Sequence, residues 1–231
     1  MKPQQAHAHD FDPALHSNGF AGLGNLLTKA QCEEIRGLYD NQENFRTRID
    51  MARHRFGKGE YQYFRYPLPL VVAALRENLY ARLVASARAW MTELGLKASF
   101  PDQHSDFIEQ CRAAGQSRPT PLLLRYRRGD YNCLHQDIYG PIVFPFQVIV
   151  ALSAAGSEYR GGELLLVEQR PRAQSKGYVI PLNQGEGVAI TTRYRPEQGA
   201  RGIYRVNVRH GVSTIHAGER FTLGVIFHDA Q

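Results

Sequence analysis

Cysteine is scarce in this chain, which holds only Cys32, Cys111 and Cys133, odd in number and widely spaced. That excludes a disulfide framework as the source of stability and points to a reducing, cytoplasmic setting. Long apolar runs are missing too, none approaching the roughly 18 consecutive residues that a membrane helix needs. The start, Met1 to Asp10, is polar, rich in His and Gln and without an apolar stretch, which argues against a secretory signal. No repeat, low-complexity block or charged linker divides the 231 residues. They read as a single domain, 1–231, long enough to bury a core without crosslinks or a structural metal. Lysine is the rarest charge. Only Lys2, Lys29, Lys58, Lys97 and Lys176 occur among 28 basic residues, against 22 acidic ones, for a net charge of +6. The remaining 23 arginines suit bidentate recognition of phosphate or carboxylate, although a GC-rich genome gives the same excess with no anionic partner.

What is present changes period part-way along. Thr28-Lys29-Ala30-Gln31 has the form of a capping box, with Ala30, Ile35 and Leu38 following at near-helical spacing, and predicts a helix over about 29–40. Pro67 and Pro69 precede an apolar stripe through Val72, Leu75, Leu79, Leu83, Ala87, Trp90 and Leu94, stopped by Gly95. This spacing predicts a long helix. A shorter one is expected over about 102–114, ending at Gly115. From Pro119 onward apolar and β-branched runs recur at 121–126, 144–153, 163–168, 177–180, 187–192, 203–208 and 221–228, between Gly, Pro, Ser and Asn. Short strands after a block of helices predict an α+β fold: a jelly roll (double-stranded β-helix) over 119–231, buttressed by a mainly helical segment and lid over 1–118.

Two elements carry chemistry. His135-Gln136-Asp137, if extended, places an imidazole and a carboxylate on one face. A third ligand from elsewhere would complete the two-His, one-carboxylate face of a mononuclear iron site, which leaves positions open for cosubstrate and oxygen. The second element is His210, followed ten residues on by Arg220 and then Thr222. Arg220 and Thr222 alternate onto one face of their strand. An inward arginine in a β core is costly unless an anion matches it, and a guanidinium beside a hydroxyl can hold a carboxylate bidentately.

With Tyr126 nine residues before His135, then H-x-D, then His210 and G-x-R-x-T, the chain resembles the Fe(II)/2-oxoglutarate-dependent oxygenase superfamily. Leu134-His135-Gln136-Asp137 is similar to the same stretch of the AlkB-like nucleobase demethylases. A longer set of segments resembles one bacterial family predicted to act oxidatively on damaged DNA: Ala114 to Pro121, Gly161-Gly162-Glu163, Glu168 to Arg172 and Arg209 to Ser213. The resemblance implies His135, Asp137 and His210 as iron ligands and Arg220 as the clamp on the far carboxylate of 2-oxoglutarate. It also implies that Thr222 assists Arg220, that Tyr126 bonds the cosubstrate, and that O2 is the second cosubstrate. Leu124 stands where the demethylases place an asparagine, and Arg220 lies nearer the distal histidine than theirs, as in prolyl-hydroxylase-type enzymes. Competing candidates are His216 and His228 as ligands, Cys133 as part of a zinc site, and Glu163 or Glu168 as catalytic carboxylates. Gly161-Gly162 reads as shaping the start of a strand.

Arg46, Arg48, Arg53, Arg55 and Arg65 are interleaved with Phe45, Phe56, Tyr61, Tyr63, Phe64 and Tyr66, with Gly57 and Gly59 between. The segment reads as a mobile cationic, aromatic loop, either gripping a nucleic acid through residues such as Arg53 and Arg55 or closing as a packed lid. Tyr131, Asn132 and Tyr139 flank the metal motif and are expected at the pocket mouth. Three readings follow: an oxygenase of a modified nucleobase in DNA or RNA, serving demethylation or repair; a hydroxylase of a protein side chain or small metabolite; and a non-enzymatic metal-binding jelly roll.

Overall fold

A computed structural model of the chain describes residues 13–231, so the polar start that bears on the signal-peptide expectation lies outside the described residues. Among the described residues no helix is long and apolar enough to cross a membrane. The first part of the chain runs α1 (Pro13–Asn18), β1 (Phe20–Asn25), α2 (Lys29–Gly37), β2 (Phe45–Asp50), β3 (Gly57–Lys58), β4 (Glu60–Phe64), α3 (Leu70–Glu93) and α4 (His104–Ala113). Ten strands follow: β5 (Leu122–Arg127), β6 (Tyr131–His135), β7 (Phe146–Ala151), β8 (Tyr159–Gly161), β9 (Leu164–Gln169), β10 (Lys176–Ile180), β11 (Glu186–Thr191), β12 (Tyr194–Gly199), β13 (Gly202–Val212) and β14 (Ile215–Ile226).

The strands form two antiparallel sheets. The major sheet has the order β1-β11-β7-β14-β5-β4-β2, with β8 also paired to β14. The minor sheet has the order β10-β9-β13-β6-β3, with β12 also on β13. Alternation along the central strands explains both the core and the site. On β7, Phe146, Val148 and Val150 join the helix-side core, as do Phe221, Leu223 and Val225 on β14. Their neighbours Gln147, Ile149, Arg220, Thr222 and Gly224 face the opposite way and line a cavity between the sheets. A period of two leaves no other arrangement once one face is buried under helices. Farther along the sandwich, Leu164, Leu166, Ile180, Val188, Ile190 and Val208 fill the space between the sheets.

The helices form as their sequence signals require. Thr28 caps α2, its hydroxyl accepting from the Gln31 N–H at 3.3 Å while Gln31 Oε1 accepts from the Thr28 N–H at 2.9 Å. Helix α3 begins directly after Pro69 and buries Val72, Leu75, Leu79, Leu83, Ala87 and Trp90. Its partners include an aromatic cluster in which Tyr80 meets Phe107 and Phe144, and Trp90 meets Phe146 edge-on at 4.8 Å.

One charged residue interrupts that apolar stripe. Arg76, 2% exposed, donates from Nε to the Ile226 carbonyl at 2.8 Å and from Nη2 to the Phe227 carbonyl at 3.0 Å. Its Nη2 also meets Asp229 Oδ1 at 2.8 Å, and Asp229 is wholly buried. The arginine thus latches α3 to the end of β14. Replacing Arg76 with alanine leaves the buried Asp229 carboxylate with the Tyr66 hydroxyl but no cation, a loss of roughly 3–5 kcal/mol. Thermal melting should show a fall on the order of 10 °C for a chain of this size. The double variant Arg76→Met with Asp229→Leu should recover most of it, because the cost lies in the unpaired charge; no recovery would mean the pair has another role.

One expectation is extended and one corrected. The segment 1–118 is helical for more of its described residues than it is extended, but before α3 it also carries four strands that join both sheets. Gly22 and Gly24 interrupt β1, and Gly57 and Gly59 interrupt the β3–β4 region, so the period-two signal is broken there. Residues 46–66 are no mobile loop. They hold β2, a short 3-10 turn at 51–54, β3 and β4, and β4 pairs with β5 of the major sheet.

Candidate active site

His135 closes β6, and His210 on β13 is its direct partner across the ladder. Their ring centroids are 4.2 Å apart. Asp137 lies just beyond β6, with Oδ1 at 3.6 Å from His135 Nε2 and Oδ2 at 3.2 Å from His210 Nε2. The ligand atoms of the three residues lie within 4.8 Å of one another, and among the described residues no other such cluster forms. His135 Nδ1 sits 2.8 Å from the Cys133 carbonyl. A carbonyl can only accept, so Nδ1 carries the proton and Nε2 keeps its lone pair for a metal.

Asp137 is gripped at both oxygens: Tyr139 Oη donates to Oδ1 at 2.7 Å and Gln147 Nε2 donates to Oδ2 at 2.8 Å. Behind Tyr139, the Tyr63 hydroxyl donates to the Tyr139 oxygen at 3.1 Å. Burial opposes ionisation of Asp137, but His210, His135 and the Tyr139 hydroxyl outweigh it and hold the carboxyl well below the usual range. Burial, and then the neighbouring His210, push the His135 imidazole down. At neutral pH the cluster is one carboxylate with a neutral His135, the protonation state a divalent cation requires.

Arg220 forms the other part of the same cavity, which has a volume of about 310 Å³. It is 3% exposed, and its Nε and Nη1 have no protein hydrogen-bond partner. Tyr126 lies opposite Arg220 in the β5–β14 pairing, and the guanidinium carbon is 5.7 Å from its ring centroid. Asn132 Nδ2 donates to Tyr126 Oη at 3.3 Å, and burial pushes this phenol up to about 12. Thr222 projects from β14 into the same space. Gly162 permits the arrangement: a Cβ there would lie 2.1 Å from Ile215 Cδ1 and 3.1 Å from Arg220 Cδ. The donor set fits Fe(II), and a buried guanidinium with two unpartnered nitrogens fits the far carboxylate of a small dicarboxylate.

The model of the Oxygenase-NA family, described as an oxygenase catalysing oxidative methylation of damaged DNA, matches residues 59–230. The chain belongs to this family. Two Mycobacterium tuberculosis proteins, Rv2227 and MT2286, are each 51% identical to this Oxygenase-NA chain over 167 residues, 72% of either length. The fold is shared with a Pseudomonas putida prolyl-4-hydroxylase (TM-score 0.55, 13% identity, 94% of this chain and 96% of that one). It is shared equally with a Trichoplax adhaerens prolyl hydroxylase in complex with a hypoxia-inducible-factor peptide (TM-score 0.57, 14% identity, 94% and 86%). The jelly-roll expectation therefore stands, and Oxygenase-NA membership sets aside a non-enzymatic metal-binding domain.

The structure brings together His135, Asp137, His210, Arg220, Thr222, Tyr126, Asn132, Tyr139 and Arg55 around one cavity in this Oxygenase-NA protein. Tyr131 and Arg53 do not line it. Asn132 lines the cavity while Tyr131 is exposed; the β6–β13 register shifts between the Val212–Asn132 and His210–His135 pairs, an irregularity that lets Asn132 and His135 both reach the cavity although three residues separate them. Of the competitors, His216 is exposed and outside the cavity. His228 is wholly buried, its Nδ1 accepting from the Phe144 N–H at 3.2 Å, and burial pushes it down to about 3. Cys133 is exposed, Glu163 accepts from the Ser213 hydroxyl, and Glu168 is buried against Arg195 at 3.0 Å. Gln147 was not anticipated. Its signal was present: one amide inside the apolar run 144–153, which must find partners if buried.

Proposed function

We propose that this oxygenase uses Fe(II), 2-oxoglutarate and O2 to oxidise a modified nucleobase in DNA or RNA, in demethylation or repair. The observation that carries the reading is the convergence of His135, Asp137, His210 and the buried Arg220 on one cavity. In it the two imidazoles and the carboxylate hold the metal, while Tyr139 and Gln147 keep the Asp137 oxygens from rotating. Arg220 and Thr222 bind the far carboxylate of the cosubstrate, and Tyr126, oriented by Asn132, offers a hydroxyl to it. Bound there, iron and 2-oxoglutarate supply the oxidising power, with 2-oxoglutarate decarboxylated to succinate as O2 is consumed and a substrate C–H bond is oxidised. Leu122, Leu124, Ile149, Leu164 and Val212 line the rest of the cavity and keep bulk water from the reacting atoms. The family description supports a nucleobase substrate.

A side-chain or metabolite hydroxylase is the second reading. It is favoured by Leu124, which offers the cavity no polar contact where a base edge would need one. Mass spectrometry of products from modified oligonucleotides and from peptides, with Fe(II) and 2-oxoglutarate present, decides between them. Oxidised base with stoichiometric succinate is the expected result; oxidised peptide and untouched oligonucleotide would replace it with the second reading.

A further inference from the structure

A second concavity lies on the opposite face of β4 and β5 from the iron cavity: Glu60, Arg125 and Arg127 line it, whereas Tyr61, Leu124 and Tyr126 line the cavity. It is a groove of about 830 Å³ whose lining includes Arg48, Arg53, Lys58, Arg125, Arg127 and Arg128, against only Asp50, Glu60 and Asp130. Several of these charges are already engaged. Arg48 and Arg125 both bond Glu60, with Arg125 Nε at 2.6 Å from Oε1, and Arg127 Nε meets Glu219 at 2.9 Å. Arg53 pairs loosely with Asp50 at 3.4 Å and Lys58 with Asp130 at 3.7 Å, both cations being largely exposed. Arg128 is exposed and has no ion pair within 4.0 Å among the described residues. Arg128, and the exposed and loosely paired Arg53 and Lys58, are therefore the cations least committed and best placed to meet a polyanion, and they lie along one groove.

The turn from Arg53 to Lys58 joins this groove to the iron cavity. His54 lines the groove, Phe56 lines the cavity, and their rings stack at 5.3 Å with planes 20° apart. Phe56 is 48% exposed. The turn that carries it is pinned, not loose. The Phe56 N–H donates to the Met51 carbonyl at 3.0 Å, and the Phe56 carbonyl accepts from the Cys133 N–H at 2.8 Å. Gly57 has φ of +136°, and a Cβ there would lie 2.4 Å from the Tyr131 carbonyl, so this close approach to β6 is open only to glycine. Leu134 and Ile138, also exposed, complete an apolar rim with Phe56. A flat ring backed by an imidazole, held rigidly between a cationic groove and an oxidation site, is the arrangement that stacks an unpaired base while its backbone is held alongside.

We infer that a single-stranded oligonucleotide occupies this groove, its phosphates on Arg53, Lys58 and Arg128, with one unstacked base passing over Phe56 into the cavity. This deepens the nucleobase reading and rests on it. Fluorescence anisotropy on the full chain, with a short oligothymidine carrying one 2-aminopurine, tests the groove. Single strand should bind tighter than duplex of equal length. Arg53→Ala with Arg128→Ala should weaken binding and flatten the slope of log affinity against log salt by roughly one unit per lost phosphate contact. Phe56→Ala should weaken binding roughly 5- to 100-fold, as loss of one stacked base does, and abolish the change in 2-aminopurine emission. Phe56→Trp should retain both. Melting temperatures should hold in all of these variants, because the altered side chains are exposed.

Unchanged affinity and slope in the variants, equal binding of duplex, equal competition by polyglutamate, or no binding at low salt would each overturn the groove. Oxidation of a modified free nucleoside reports the cavity separately. Product from the nucleoside with variants that bind oligonucleotide normally discards the groove and keeps the nucleobase reading. Groove-dependent binding of single strands with no oxidation of any modified base discards that reading and leaves a nucleic-acid-binding surface.

Discussion

Asp137→Ala is expected to abolish both metal binding and 2-oxoglutarate decarboxylation, while far-ultraviolet circular dichroism stays that of the parent. The carboxylate is the one acidic group in the cluster, within 3.6 Å of both imidazoles, so its loss leaves two imidazoles and an open face. His135→Ala and His210→Ala should do the same. Gln147→Leu should be milder, about 10- to 100-fold in metal affinity, since it only frees one carboxylate oxygen. Calorimetric titration with Mn(II), beside an assay of succinate, reads both effects. His216→Ala should keep the metal, its ring being exposed and outside the cavity. A variant set in which His216→Ala lost the metal and His210→Ala kept it would remove the ligand assignment.

Arg220→Ala should raise the Kd for 2-oxoglutarate by about two to three orders of magnitude in the metal-loaded protein. Removing one partner of a buried ion pair costs roughly 3–5 kcal/mol, and each 1.4 kcal/mol is tenfold. Arg220→Lys should recover part of this, because an ammonium supplies charge without the planar fork. Monocarboxylic 2-oxobutyrate offers the discriminating control: it lacks the far carboxylate, so its weak binding should be insensitive to Arg220→Ala. Equal losses for both ligands would show a collapsed cavity, and no loss for 2-oxoglutarate would end the clamp assignment.

The parts of this site that were legible in sequence are those governed by short-range periodicity. Arg220 and Thr222 stand two apart on β14 and share a face because strand side chains alternate; His135 and Asp137 have the same spacing and converge, although Asp137 lies just past the end of β6. The distal histidine, His210, could be named as a candidate because the resemblance supplied a spacing. Its position directly across the ladder from His135 could not be read from the chain, since strand pairing is a tertiary choice. Tyr131 and Asn132 were both expected at the mouth, yet only Asn132 lines the cavity, because the β6–β13 ladder carries an irregularity that the sequence does not reveal. Arg76 was hidden differently. It sits between Val72 and Leu79 on the buried stripe of α3, and helical periodicity marks the position as core without revealing that carbonyls and Asp229 from the far end of the chain would satisfy a guanidinium. The strands before α3 escaped notice because glycines break their pattern, and because β1 and β2 are sheet edges, where selection for apolar alternation is weak.

The place of β14 has a consequence for how the protein is made. It sits between β7 and β5 in the major sheet and follows both in the chain. During synthesis those two strands emerge first and must wait as unpaired edges, a state prone to association with other chains. Only when β14 leaves the ribosome can it insert between them. It carries Arg220 and Thr222 with it, and its far end receives Arg76. The closing of the sheet, the latching of α3 through Arg76 and the arrival of Arg220 and Thr222 thus wait on one strand, whereas His135, Asp137 and His210 all precede it in the chain.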